Sequence, residues 1–594
     1  MQKHVWETVE ITLTAQHEYE NPYMQVDVWA DLTGPGFLKR CFGFWDGGNT
    51  FRIRICATCA GDWAYTVGSN TQDPGLNGAS GSFSAIGWAE EEKQENPCRR
   101  GMVVATPNQH GFMYSDGTPV YILADTVWAA FTHRYPLYDD ETPRPIGPGL
   151  GLKDVIRVRK QQGFNAIATI SAFVGWQDDG HPSRIALEDG TVLRDGWRTP
   201  GISKKSDEYS IKDMHSDNGE RPFLFPGKTP GYEQVYPDME RVNPLYFQDL
   251  DKKMNWLNSQ GITVFMETVR RDCSTAWKKY YSWPGSFARY VQYLFARYQT
   301  NNCLYSPIHY DYDQASIPGR DYNEPINLAI DRHGKPPFGT ICGCNANGTT
   351  LADFGHTDVA RWLGFHQIGN FDRVHDQYWY LTQIHQLKDP VPALNGEPYY
   401  PGDMFGGGPD DVRVYPDCLE ANYRFRSGLY GSLLSGGLAG YFYGANGMWG
   451  GDIEPESTFK IWDALGYSSG SQVQHVNAFL QPLDGRYAEL IPDVELVTPN
   501  KAGDPQGFHG WAYCARTGDY STLLLYCEAH CPRVDVRGLE YGAEYELLWF
   551  DPREGKWMED ATVKAIAADC RCRLRLPDFP NEKDWGILLR KVGP

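Results

Sequence analysis

The 594-residue chain carries 75 acidic against 55 basic side chains, a formal net charge of −20. Such a surface repels a nucleic-acid backbone and an anionic membrane, so neither is expected as a partner, and no run reaches the roughly eighteen apolar residues that span a bilayer. The length exceeds one ordinary domain and leaves room for a large core with smaller modules beside it.

The first hundred residues read as short alternating segments, among them Val26–Ala30, Phe51–Cys56 and Trp63–Val67, broken by Gly, Pro, Asn and Asp. That spacing predicts an N-terminal β-sandwich over 1–100. The opening segment alternates apolar and polar residues and shows no basic stretch followed by an apolar run, so no secretory signal is visible and a cytoplasmic protein is expected. The 14 cysteines then read as reduced thiols. The close pairs Cys56/Cys59, Cys342/Cys344 and Cys570/Cys572 lack a second pair at zinc-ligand spacing, so no metal is expected.

From 101 to 475 apolar strand-like runs alternate with longer helical segments, which predicts an α/β unit built on a parallel sheet. Eight runs fit a (β/α)8 barrel: Val120–Ala124, Ala166–Ile170, Thr263–Met266, Leu304–His309, Gly339–Cys342, Leu363–Ile368, Val391–Leu394 and Leu438–Tyr443. Helices are expected over 243–260, with Asn243 as cap and Gly261 as stop, and over 152–162 ahead of Gly163. A connection of about 70 residues, Phe173 to Arg241, follows the second run and is expected to overhang the barrel mouth. From 476 to 594 short strands return, as in Thr522–Cys527, Tyr545–Phe550 and Trp585–Leu589, predicting a C-terminal β-sandwich.

In a barrel the carboxyl ends of the strands face the active site. Polar residues follow the runs: Asp125 and Thr126, Ser171, Glu267, Asp311 and Asp313, Asn345, Gln367, Glu397 and Asn446. Aromatic residues stand among them, including Trp128, Phe173, Trp176, Tyr310, Tyr312, Tyr399, Tyr443 and Trp449. Glu397 is the sharpest single feature, because it ends an apolar run and is followed at once by Pro398, which stops regular pairing. Two carboxyl groups flanking a sugar cleave a glycosidic bond, one protonating the leaving oxygen and the other attacking the anomeric carbon or activating water. Asp311 and Glu397 are the predicted pair, with carboxyl groups about 5–5.5 Å apart for retention or roughly 6.5–9.5 Å for inversion.

The segment Gly117–Trp128, the Gly163-Phe164-Asn165 turn, Asn243–Asp251, Gly396-Glu397-Pro398 and Tyr443–Trp449 resemble, in order, the apiosidase-like glycoside hydrolases. Tyr19–Tyr23, Phe44–Gly48 and Gly61–Trp63 are similar to the β-sandwich often fused ahead of that barrel. Phe550–Gly555 with Asp584-Trp585 is similar to the C-terminal sandwich of putative collagen-binding type. The resemblance implies a retaining barrel glycosidase with Glu397 as nucleophile and an Asp of the fourth strand as acid/base, and such a two-carboxylate mechanism needs no cofactor. Where relatives have Gly-Gly-Asp this chain has His309-Tyr310-Asp311-Tyr312-Asp313, so Asp313 stands as a substitute for Asp311. The fifth-strand region, Thr340–Asn345, also lacks the expected His-Pro, pointing to a different sugar.

Asp125 and Trp128 are predicted to hold a sugar hydroxyl and a sugar face. Asp125 reads equally well as a cap or a backbone-bonded carboxylate, and Trp128 equally well as a core residue. Gln367 is favoured over His366 to face the lumen, His356 is placed at the mouth from its loop, and Glu267 either tunes the acid pair or pairs with Arg270 or Arg271. Tyr399, Tyr443, Asn446 and Trp449 complete the predicted carbohydrate site. A non-catalytic carbohydrate-binding or adhesion protein with an inactive barrel is the alternative, and a homo-oligomer is compatible with either.

Overall fold

The computed structural model describes residues 1–173, 185–194, 214–311, 316–369, 378–402, 404–405, 412–413, 416–455, 457–503 and 508–592. Near the N-terminus a five-stranded sheet faces a three-stranded one. Val9–Thr14 alternates buried and exposed side chains without exception, as a strand with one wet face requires. Its inward residues Val9, Ile11 and Leu13 join Val28, Ala30, Leu32, Ile53 and Trp63 in a separate apolar core. Residues 491–592 form a six-stranded and a three-stranded antiparallel sheet with a core of their own around Leu525, Leu547, Trp549 and Ile587.

Between them lies a curled parallel sheet. Counted by the eight runs, its strands are Ile122–Thr126 (first), Ala166–Ile170 (second), Thr263–Glu267 (third), Cys303–Ser306 (fourth), His366–Gly369 (sixth), Ala393–Glu397 (seventh) and Gly440–Tyr443 (eighth). They lie side by side in the order fourth, third, second, first, eighth, seventh, sixth. The fifth run is not a strand. It contributes isolated parallel bridges, Tyr305 to Cys342 and Cys342 to Leu363, between the two edges of the sheet. Gly343 lies so close under Phe365 that a Cβ there would sit 2.3 Å from the ring, a close approach that substitutes for regular pairing.

Side-chain alternation divides this sheet cleanly. Ile122, Ala124, Ala166, Ala168, Phe265, Leu304, Leu394 and Phe442 turn to the concave side, where Val103, Phe112 and Tyr114 of a short antiparallel sheet pack against them. Leu123, Ile167, Val264, Met266, Tyr441 and Tyr443 turn the other way and share a core with the helices. The helix Pro244–Ser259 begins where Asn243 Oδ1 accepts from the Leu245 amide at 3.2 Å and ends before Gly261, whose φ of 77° few other residues adopt. The helix Leu152–Gln161 stops in the same manner at Gly163, φ 82°.

Charged seams join the three parts. Asp251, on the helix Pro244–Ser259, meets Arg54 of the N-terminal sheets at 2.6 Å and Arg297 at 2.8 Å. Arg297 also reaches Asp46, 2.9 Å away. On the other flank Arg426 meets the buried Asp584 of the C-terminal sheets at 2.6 Å. Among the described residues no helix is long and apolar enough to cross a membrane.

Candidate active site

Glu267 closes the third strand with the parity of Phe265, so its carboxyl enters the concave side, fully buried. Its Oε2 lies 2.6 Å from His309 Nδ1. On the other edge of the same imidazole, Asp311 Oδ1 lies 3.2 Å from Nε2. Asp311 is also ion-paired to the Arg271 guanidinium. The row Glu267, His309, Asp311, Arg271 therefore alternates in charge.

Burial works against charge throughout this row. It opposes a cationic His309, yet Asp311 and then Glu267 overcome it and push the imidazole pKa up to about 10. Burial also opposes an ionised Asp311, and Arg271 and His309 outweigh it and hold that carboxyl below the usual aspartate range. Glu267 is pushed up by burial, with His309 pulling it back.

Glu397 ends the seventh strand and is 4% exposed. Strict alternation would turn it outward with Asn395, whose amide donates 3.0 Å to Ser432 on the helix Leu419–Leu434. A register irregularity at Ile368 and Gly369, opposite Glu397, breaks the alternation. Glu397 Oε2 then accepts from Asn345 Nδ2 at 3.3 Å, across from the sixth strand in the fifth-run segment. The same Asn345 amide also acts on Glu267, so one side chain links the Glu267 row to Glu397. Gln367, of inward parity on the sixth strand, is buried against Gly396, and its amide atoms have no partner among the described residues.

Two tryptophans flank this group. Trp128 is 7% exposed and meets His309 at a ring-centre distance of 4.7 Å and Trp449 at 5.1 Å, both in tilted T-shaped contacts. Asn446 fixes Trp449: its Oδ1 accepts from Trp449 Nε1 at 3.2 Å while its Nδ2 donates to the Gly402 carbonyl at 2.7 Å. Tyr399 is buried in the loop directly after Glu397.

Three predicted contacts fall elsewhere. Asp125 has the parity of Leu123 and faces the helix layer, where Arg159 Nε donates to it at 2.7 Å with both side chains wholly buried. Of its predicted readings the buried carboxylate fits, since the Thr126 backbone also bonds it, with the Arg159 pair added; a sugar contact or a cap is not what the structure places there. Tyr443 has the same outward parity and bonds Ser469 at 2.9 Å. His356 contacts His366, the first residue of the sixth strand, at 3.0 Å and the Asp389 carbonyl at 2.8 Å, which places it at the amino end of the sheet rather than at the mouth. Asp313, Tyr312 and Trp176 lie outside the described residues. Glu267 pairs with His309 rather than with Arg270 or Arg271. The assignments above gave no role to His309 and none to Asn345, although His309 and Asp311, two apart in an extended segment, share a face.

Family models match two stretches of the chain. Residues 106–485 match the apiosidase-like catalytic domain and residues 2–70 a domain of unknown function, DUF5060. Among solved structures, a Bacteroides vulgatus protein assigned as a candidate glycoside hydrolase superposes with a TM-score of 0.62 at 16% identity, covering 100% of both chains. A glycoside hydrolase of family 5 from Bacteroides vulgatus gives 0.56 at 15% identity, covering 83% of this chain and 94% of its own. A further structure described as a glycoside hydrolase gives 0.56 at 15% identity, over 83% of this chain and 98% of the other. No curated protein sequence matches.

Proposed function

We propose that this chain, which belongs to the apiosidase-like family and is a glycosidase, removes a terminal sugar from an oligosaccharide or small glycoside by a retaining two-carboxylate mechanism. The observation that carries this reading is the convergence of Glu397, Asn345, Glu267, His309 and Asp311 at the carboxyl ends of parallel strands, beside Trp128 and Trp449. Glu397 attacks the anomeric carbon. Asp311 protonates the departing oxygen and later takes the proton of the attacking water. A sugar entering between Arg271 and Asp311 loosens that ion pair and raises the proton affinity of Asp311, readying it as an acid. Trp128 and Trp449 offer apolar faces to the sugar ring, and Gln367 offers an amide.

The scaffold in this reading is a closed (β/α)8 barrel, supported by the parallel bridges through Cys342. It is flanked by sandwich modules over 1–100 and 476–594, supported by the separate apolar cores at either end of the chain. Residence in a reducing cytoplasm fits fourteen cysteines that are all free thiols; recovery of the protein from culture medium or periplasm would count against it. The function is tested by screening aryl apiosides, arabinofuranosides, galactosides and rhamnosides with wild type, Glu397→Gln and Asp311→Asn. Wild type is expected to release one sugar, and both variants to fall by about a hundredfold or more. A ligand that binds without turnover would favour the carbohydrate-binding alternative.

A further inference from the structure

We propose that His309 is a buried cationic positioning residue, clamped at Nδ1 by Glu267, whose charge fixes the pH range in which Asp311 serves as proton donor. This rests on the assignment of Asp311 as the acid/base. The two carboxylates approach opposite nitrogens of one ring, Glu267 at 2.6 Å from Nδ1 and Asp311 at 3.2 Å from Nε2. The imidazole is completely buried, with Trp128 against it and Glu267 buried beside it, so water screens the Glu267 contact little, while Asp311 is partly exposed on its outer side. Among the described residues the charged groups around it are Glu267 from the third strand, Arg270 and Arg271 from the segment that follows, and Asp311 from its own segment. Two anions hold one proton on the ring against burial, and the imidazole stays charged through neutral pH.

The consequence lies at Asp311. In the first chemical step its proton passes to the glycosidic oxygen as the bond from that oxygen to the anomeric carbon breaks, the bonding pair staying on oxygen. In the second, the carboxylate recovers a proton from water as the water oxygen bonds to the same carbon. A neighbouring cation stabilises the carboxylate left by the first step, which makes Asp311 a stronger acid. It also confines the protonated form to more acidic solution. His309 thus acts through Asp311 and touches no reacting atom. Glu267 keeps the ring charged and turned with Nε2 towards Asp311.

The test is the pH profile of kcat/KM on a glycoside with a poor leaving group, for wild type, His309→Gln, Glu267→Gln and Asp311→Ala. Removing the cation is expected to raise the proton affinity of Asp311, so the basic limb of His309→Gln moves up by about one pH unit or more. Glu267→Gln preserves shape and removes one of the two anions that hold the ring proton, so the His309 imidazole followed by NMR is expected to lose its proton at lower pH than in wild type, which keeps the proposal testable if His309→Gln does not fold. With a dinitrophenyl glycoside, which departs without protonation, kcat/KM of both variants is expected to fall much less than with the poor leaving group and to lose the shifted basic limb. A limb that stays in place in folded His309→Gln, an imidazole that titrates as in wild type in Glu267→Gln, or equal losses on both substrates overturn the positioning role. Asp311→Ala with undiminished hydrolysis of the poor leaving group would instead remove the acid assignment itself, and the proposal with it.

Discussion

At Asp125 the direction of one side chain decides between a sugar contact and a structural ion pair. The residue is the last but one of a strand whose Ile122 and Ala124 face the concave side, so an odd step turns its carboxyl to Arg159. Both partners are wholly buried, and removing the negative charge leaves a guanidinium unpaired in the core. Asp125→Asn is therefore expected to destabilise the protein by about 3–5 kcal/mol, while kcat/KM of the folded fraction stays near wild type. Denaturant melts and kinetics on one sample check this. An unchanged melt with a raised KM would return Asp125 to the sugar site. Glu397 is the opposite case, since its parity predicts the outward face and the irregularity beside Gly369 brings it to Asn345.

Among the elements, those set by local chemistry were legible in the sequence. Helix ends at Asn243, Gly163 and Gly261 stand where caps and positive φ require them, and seven of the eight apolar runs became strands, though Val120–Ala124, Leu363–Ile368, Val391–Leu394 and Leu438–Tyr443 begin later than expected. The fifth run makes only single bridges at Cys342, and Gly343 just after it packs closely against Phe365 in place of a ladder. The site was legible as a location at strand ends but not as contacts. Pairing of Glu267 with His309 depends on how the third and fourth strands are juxtaposed, which residue spacing does not reveal. The seventh strand also carries a packing constraint: a Cβ at Gly396 would sit 2.0 Å from Gln367 Oε1. Gly396→Ala is expected to displace Gln367 and lower kcat/KM by about tenfold, and adding Gln367→Ala to relieve the crowding but not the loss of activity. Full activity in Gly396→Ala would show that the position of Gln367 does not matter to turnover.

Across the whole molecule, buried carboxylates fasten the outer sheets to the central part. Burial raises the proton affinity of Asp251, and Arg297 and Arg54 more than reverse it; Arg426 and Arg553 do the same for Asp584. Both groups thus bind protons less readily folded than unfolded, so their contribution is present above the ordinary aspartate range, about 3.9, and is lost as pH falls through the lower folded values. Thermal melts are expected to lose this contribution progressively as pH falls below about 4, with Asp251→Asn and Asp584→Asn already lowered at pH 7 and less sensitive to acid. Melts of the variants that coincide with wild type at pH 7 would show that these seams carry no stability.

The central claim is that Glu397 is the nucleophile, and covalent trapping addresses it most directly. Once the sugar is known, its 2-deoxy-2-fluoro derivative with an activated leaving group should inactivate the enzyme and leave one glycosyl unit on the peptide that contains Glu397, read by mass spectrometry after proteolysis. Label on a peptide carrying Glu267 or Asp311, or turnover with inversion and no label, would contradict the account.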